Sequence, residues 1–137
     1  MLQRDYIQRL IREFMAALQR LLEKKEGRDR QEAVRELYLQ YLGNYELYHS
    51  ADMDEVMRSF ERFPQEERPE RMEMLAELYY AEADMLTEPM RTRQLERAYM
   101  LFDFIDRHGD TFSMERTKKM DDIARLINKD SGQGQKE

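Results

Sequence analysis

A chain of 137 residues with 41% hydrophobic and 38% charged residues has the size of one domain and enough apolar content for one core. Its 5 glycines and 3 prolines are too few for the many turns of a sandwich or barrel, and the absence of cysteine excludes a disulfide scaffold, a cysteine nucleophile and a thiolate metal site. The net charge of −6 is unevenly placed: residues 1–30 carry 8 basic and 5 acidic groups, residues 31–90 carry 5 and 15, and residues 91–137 carry 10 and 9. The acidic middle repels phosphate backbones and favours a basic partner, so no nucleic acid is expected.

From the N-terminus, Ile7, Ile11, Phe14, Leu18 and Leu21 recur at four and three, the period of a helix that runs to about Glu26. Leu10, Met15, Ala17 and Leu22 widen the stripe, which predicts packing against more than one neighbour. Gly27 is read as the stop and Asp29 as the cap of the second helix, which carries Ala33, Val34, Leu37, Tyr38, Tyr41 and Leu42, with Gly43 as a stop or a local kink before Tyr45, Leu47 and Tyr48. Residues 44–50 are ambiguous. Asp52 with Glu55 three residues on resembles a capping box and opens a short helix that closes at Phe63-Pro64.

Pro69 suits the first turn of the next helix, about 69–86, whose Met72, Met74, Leu75, Ala76, Leu78, Tyr79, Ala81, Ala83, Met85 and Leu86 predict a central position. Leu95, Ala98, Tyr99, Leu101, Phe102, Phe104 and Ile105 mark a helix ending at His108-Gly109. Ser113 can cap the last one, with Met120, Ile123, Ala124 and Ile127 facing inward. The expectation is an all-α domain over residues 1–129, about six helices in stacked antiparallel hairpins, followed by a disordered tail over 130–137.

Met72, Leu75, Ala76 and Tyr79 stand at the spacing of the first-helix positions of a tetratricopeptide repeat, and Ala98, Phe102 and Ile105 at that of its second helix. The pair therefore resembles a tetratricopeptide-like hairpin, with Met72 in place of the first-helix Trp and a connection about ten residues longer than the repeat. RDYIQRLIREF, EMLAELYYAEA and DTFSMERTKKMDDI are similar to a domain of unknown function, a family of small helical proteins of gut bacteria. That resemblance implies a helical fold and brings no functional residues.

The chemistry of bond-making is thinly represented. Glu46 and His49 form a Glu-x-x-His, the spacing used by di-iron bundles, but His108 is preceded at the matching position by Ile105, so the second motif is missing. His49 reads as a structural or surface residue, and His108 as a helix C-terminal one. No serine lies in a Gly-x-Ser-x-Gly turn and no glycine pair precedes a helix as a phosphate loop would. No catalytic residue, cofactor or metal ligand is assigned, and the protein is expected not to be an enzyme.

On the central helix, Glu73, Glu77, Tyr80 and Asp84 recur at four, three and four and share a face opposite the apolar one. In stacked hairpins such a face lines the concave surface, so these four residues are the candidate contact for a basic, partly apolar peptide of a protein partner. The alternatives are that the stripe only solvates its helix, and that Arg4, Arg9, Arg12 and Arg20 beside the apolar stripe of the first helix favour a membrane surface or a homodimer. A small helical enzyme with an unrecognised site is the remaining class. Asp5 and Glu13 interrupt the apolar residues of MLQRDYIQRLIREF, unlike a signal peptide, and the cysteine-free composition fits a cytoplasmic location.

Overall fold

The computed structural model describes the backbone of residues 2–109 and 112–135, with side chains over 4–109 and 112–128. Among the described residues seven α-helices follow one another: α1 (Leu2–Lys24), α2 (Gly27–Leu42), α3 (Glu46–Ser50), α4 (Met53–Ser59), α5 (Arg68–Ala83), α6 (Met90–His108) and α7 (Met114–Gln135). Two single 3₁₀ turns, Phe60–Arg62 and Gln65–Glu67, join α4 to α5. The all-α class holds, with one helix more than the periodicity suggests. The addition is α3, in the ambiguous 44–50 stretch. Five residues are too few for a helical period to show, but Asn44 Oδ1 accepts the Leu47 N–H at 2.9 Å and closes its first turn.

Helix ends follow local chemistry. Gly43 sits at φ 75 in the left-handed region and donates its N–H to the Leu39 carbonyl, ending α2. Asp52 Oδ1 accepts the Glu55 N–H at 2.9 Å, and Ser113 Oγ accepts the Arg116 N–H at 3.1 Å, starting α4 and α7. Gly109 donates its N–H to the Ile105 carbonyl where α6 stops. The α1–α2 corner differs from the expectation. Glu26, not Asp29, precedes α2, Gly27 at φ 54 is its first residue, and Asp29 lies within the first turn. The free carbonyls at the end of α1 are met from the next helix, because Arg30 donates to Leu22 O at 2.5 Å and to Lys25 O at 3.0 Å. At the other end of the chain, helical backbone continues to Gln135, past the boundary expected at residue 129.

Pairings between helices fix their directions. Glu82 meets Gln94 and Tyr79 meets Arg97, so α5 and α6 run antiparallel. Tyr38 meets Glu82 and Tyr41 meets Arg71, so α2 and α5 are antiparallel as well. Glu73 meets Arg116 and Glu77 meets Lys119, which sets α7 parallel to α5. Helix α5 is thus surrounded, and 10 of its 16 residues are buried, which explains why an apolar stripe alone does not describe it. One cluster of buried apolar side chains draws on all seven helices, from Ile7 and Phe14 of α1 through Tyr48 and Val56 to Ile123 of α7.

Candidate functional site

Helix α5 presents polar residues in two directions, and they do different things. Glu82 follows Leu75 by seven residues and Tyr79 by three, so its carboxylate enters the apolar core at 7% exposure. A buried carboxylate is tolerated only when its oxygens are fully engaged. Three donors converge here: Tyr38 Oη on Oε1 at 2.5 Å, Gln94 Nε2 on Oε1 at 3.0 Å, and His49 Nε2 on Oε2 at 2.9 Å. They come from α2, α6 and α3, so one side chain ties four helices together.

The other ring nitrogen of His49, Nδ1, lies 2.7 Å from the Tyr45 carbonyl, and the Tyr45 ring stacks on the imidazole at 4.0 Å. Both nitrogens face acceptors, which only the doubly protonated ring satisfies. Burial alone lowers the His49 pKa, but the hydrogen bond and charge of Glu82 and the Tyr45 carbonyl outweigh it, and the net shift is upward from 6.5. Burial, with the adjacent Glu82 carboxylate, holds the Tyr38 phenol well above 10.0. The His49 ring is therefore turned to Glu82, while Glu46 of the Glu-x-x-His is exposed. Among the described residues, no three His, Cys, Asp or Glu side chains gather as a metal ion requires.

The second direction contains the four residues of the acidic stripe, and their setting differs from a solvated outer face. Glu77 is only 5% exposed, and its Oε2 accepts from Lys119 Nζ of α7 at 2.5 Å. Glu73 is half-buried with Arg116 Nη1 at 3.6 Å, and Arg116 also bonds Asp106 of α6 at 3.0 Å. The chain thus supplies its own basic partners for the upper half of the stripe. Tyr80 is half-buried and Asp84 is exposed, and neither has an ion-pair partner among the described residues.

Glu77, Tyr80 and Asp84 line a groove of about 880 Å³ between α1, α5 and α7; Glu73 lies outside it. One wall is α1, with Ile11, Met15, Leu18 and Leu22, and the opposite wall is α7, with Glu115, Lys118, Lys119 and Asp122. Beyond the Glu77–Lys119 pair, and Asp122, which is paired with Arg125, the groove carries Glu23, Asp84 and Glu115 against Arg12 and Lys118. Burial raises the Tyr80 phenol above 10.0, helped by Asp122, Asp84 and Glu77. No family model, curated protein or solved structure matches this chain. The site therefore stands on its geometry alone. Among the described residues, no helix is long and apolar enough to cross a membrane.

Three of the four stripe residues lie along one groove, and sequence periodicity does not show the helix that covers Glu73 and Glu77. The signal lies in the spacing of Arg116 and Lys119, three apart on α7, which matches Glu73 and Glu77, four apart on α5, as two parallel helices need. The broad stripe of α1 is the other signal, since Ile11, Met15 and Leu22 remain half-buried beside the groove.

The titrating groups also predict a pH dependence. Burial raises Glu73 and Glu77 above 4.5, with Arg116 and Lys119 respectively pulling them back in part, and His49 is raised as well. Each group holds its proton to a higher pH in the folded chain than in the unfolded one. The associated stability is complete below the unfolded pKa, near 6.5 for His49 and 4.5 for the two glutamates, and is lost as pH rises through the folded value. The melting temperature is expected to fall by several degrees between about pH 5.5 and pH 8.5, and His49→Gln should flatten the upper part of that slope. Calorimetry across the range checks this; a midpoint that rises with pH contradicts it.

Proposed function

We propose that the protein is a non-enzymatic interaction module whose α1/α5/α7 groove receives a basic amphipathic helical segment of a partner protein. The observation that carries this reading is the pairing of two unlike walls: half-buried Ile11, Met15 and Leu22 on α1 face a polar side in which Asp84 and Tyr80 are not engaged in ion pairs. A segment with apolar residues at helical spacing fills the first, and lysine or arginine at its flank meets the excess carboxylates of the second. On this reading α5 and α6 form a tetratricopeptide-like hairpin, supported by the fully buried Ala76 and Ala98 on the two helices, and the module works in the cytoplasm.

A fluorescently labelled helical peptide with leucines on one face and flanking lysines serves as the probe, read by anisotropy. Asp84→Lys and Tyr80→Ala are each expected to weaken binding about tenfold, while Asp54→Lys, exposed on α4, leaves it unchanged. Equal affinity of all three variants and the parent protein refutes the assignment.

A further inference from the structure

On another side of the molecule a second cavity, of about 540 Å³, opens between α4, the start of α5 and the end of α6. Its volume lies within the range of about 300–1,000 Å³ that accommodates small organic ligands. The interior is apolar: Met57 and Phe104 flank the buried Phe60, Met72 and Ile105. Polar groups stand at the mouth, and their charges are unbalanced. Arg58 and Arg68 supply two guanidinium groups against the single carboxylate of Glu61.

Neither guanidinium has a carboxylate partner among the described residues. Arg58 has no side-chain hydrogen bond or ion pair among the described residues. Arg68 donates from Nε to the Phe63 carbonyl at 3.0 Å and from Nη2 to the Glu61 carbonyl at 3.3 Å, so both of its partners are uncharged backbone groups. His108 closes the far edge with its ring against Phe104 at 4.3 Å. An apolar interior beside uncompensated planar cations fits one kind of ligand. Its body must be apolar to gain from leaving water, and its head must be a carboxylate, whose two oxygens match a guanidinium fork.

We propose that this cavity is a binding site for an apolar monocarboxylic acid of the fatty-acid type, with the chain over Met57, Phe60 and Met72 and the carboxylate at Arg58 and Arg68. Apolar burial alone would not distinguish the acid from the corresponding alcohol or quaternary amine; the two arginines do.

The probes are decanoate, decanol and decyltrimethylammonium, titrated calorimetrically into the full chain, with the methionine methyl groups followed by NMR. Decanoate is expected to bind about tenfold or more tightly than decanol, an advantage of the size that a charge-assisted hydrogen bond supplies, while the cation binds weakest. Arg58→Gln should remove that advantage, and Phe104→Glu, at an exposed position, should weaken decanoate further by placing a carboxylate in the mouth. The methyls of Met57 and Met72 should shift while that of Met15, in the α1/α5/α7 groove, stays in place. Equal affinity for acid and alcohol, absence of binding at millimolar decanoate, or shifts at Met15 in place of Met57 and Met72 overturns the assignment. Dimerisation in light scattering that Phe104→Glu abolishes, without acid binding, assigns the cavity to a second copy and overturns it equally.

Discussion

Glu82→Ala is expected to lower the unfolding free energy by about 3–5 kcal/mol at neutral pH, the cost of removing one partner from a buried, hydrogen-bonded ionic group. The loss is large because three donors lose their acceptor together: the Tyr38 phenol, the Gln94 amide and the His49 ring, drawn from three helices. Tyr38 is 0% exposed and cannot turn to water. With typical domain stabilities of about 5–15 kcal/mol, the variant stands close to unfolding. Urea denaturation should show a lower midpoint at unchanged slope, and the upper part of the pH dependence should shrink because His49 loses the charge that raises it. A loss below about 1 kcal/mol would mean that the network contributes no more than an ordinary hydrogen bond.

Arg97→Ala carries the second large effect, expected at about 3 kcal/mol. This guanidinium is 6% exposed on α6, and it donates to the carbonyls of Tyr48 at 3.1 Å and Ala51 at 2.8 Å. Those carbonyls stand at the C-terminal end of α3, where helix carbonyls lack intrahelical donors and the dipole favours a cation. Tyr79 completes the arrangement by donating to the Tyr48 carbonyl at 2.7 Å; burial, offset in part by Arg97, leaves its phenol pushed up to about 12. Removal of Arg97 strips α3 of its cap and leaves a void beside Tyr79. Arg97→Lys should recover only a minor part, since one ammonium cannot span both carbonyls as the fork does. Hydrogen exchange gives the local readout: the amides of α3 should exchange faster in Arg97→Ala, and protection equal to the parent contradicts the capping role.

Long periodic segments were legible in the sequence because burial on one side imposes its period directly. Ile7, Phe14, Leu18 and Leu21 of α1, and Leu95, Ala98, Leu101, Phe102 and Ile105 of α6, are buried as their spacing predicts, whereas Ile11 is half-buried and Tyr99 and Phe104 are exposed. Caps at Gly43, Asp52 and Ser113 were legible because each needs only a local hydrogen bond. The failures are long-range. Arg30, rather than a residue of α1, meets the carbonyls of Leu22 and Lys25 at the end of that helix, and α2 starts at Gly27, ahead of the expected cap at Asp29. Glu73 and Glu77 look solvated from the pattern of α5 alone, because the helix that covers them lies some forty residues later and meets them through Arg116 and Lys119.

The polar interior shows the same division. Glu82 stands in the apolar register of α5, unmarked among the candidate residues read from the sequence, and nothing near it in sequence says that Tyr38 and His49 are its partners. The groove follows from both effects. Its acidic side is visible in the spacing of Glu77, Tyr80 and Asp84, and its apolar side in the excess width of the α1 stripe; only the folded chain sets the two against each other.

The most direct test of the interaction reading is amide and methyl shift mapping by NMR on the full chain, titrated with the leucine- and lysine-bearing helical peptide. The account predicts perturbations concentrated at Ile11, Met15 and Leu22 of α1, at Tyr80 and Asp84 of α5 and at Lys118 of α7, reduced by Asp84→Lys. Perturbations confined to the exposed Tyr99 and Met100 of α6, or scattered evenly over the surface, would contradict it.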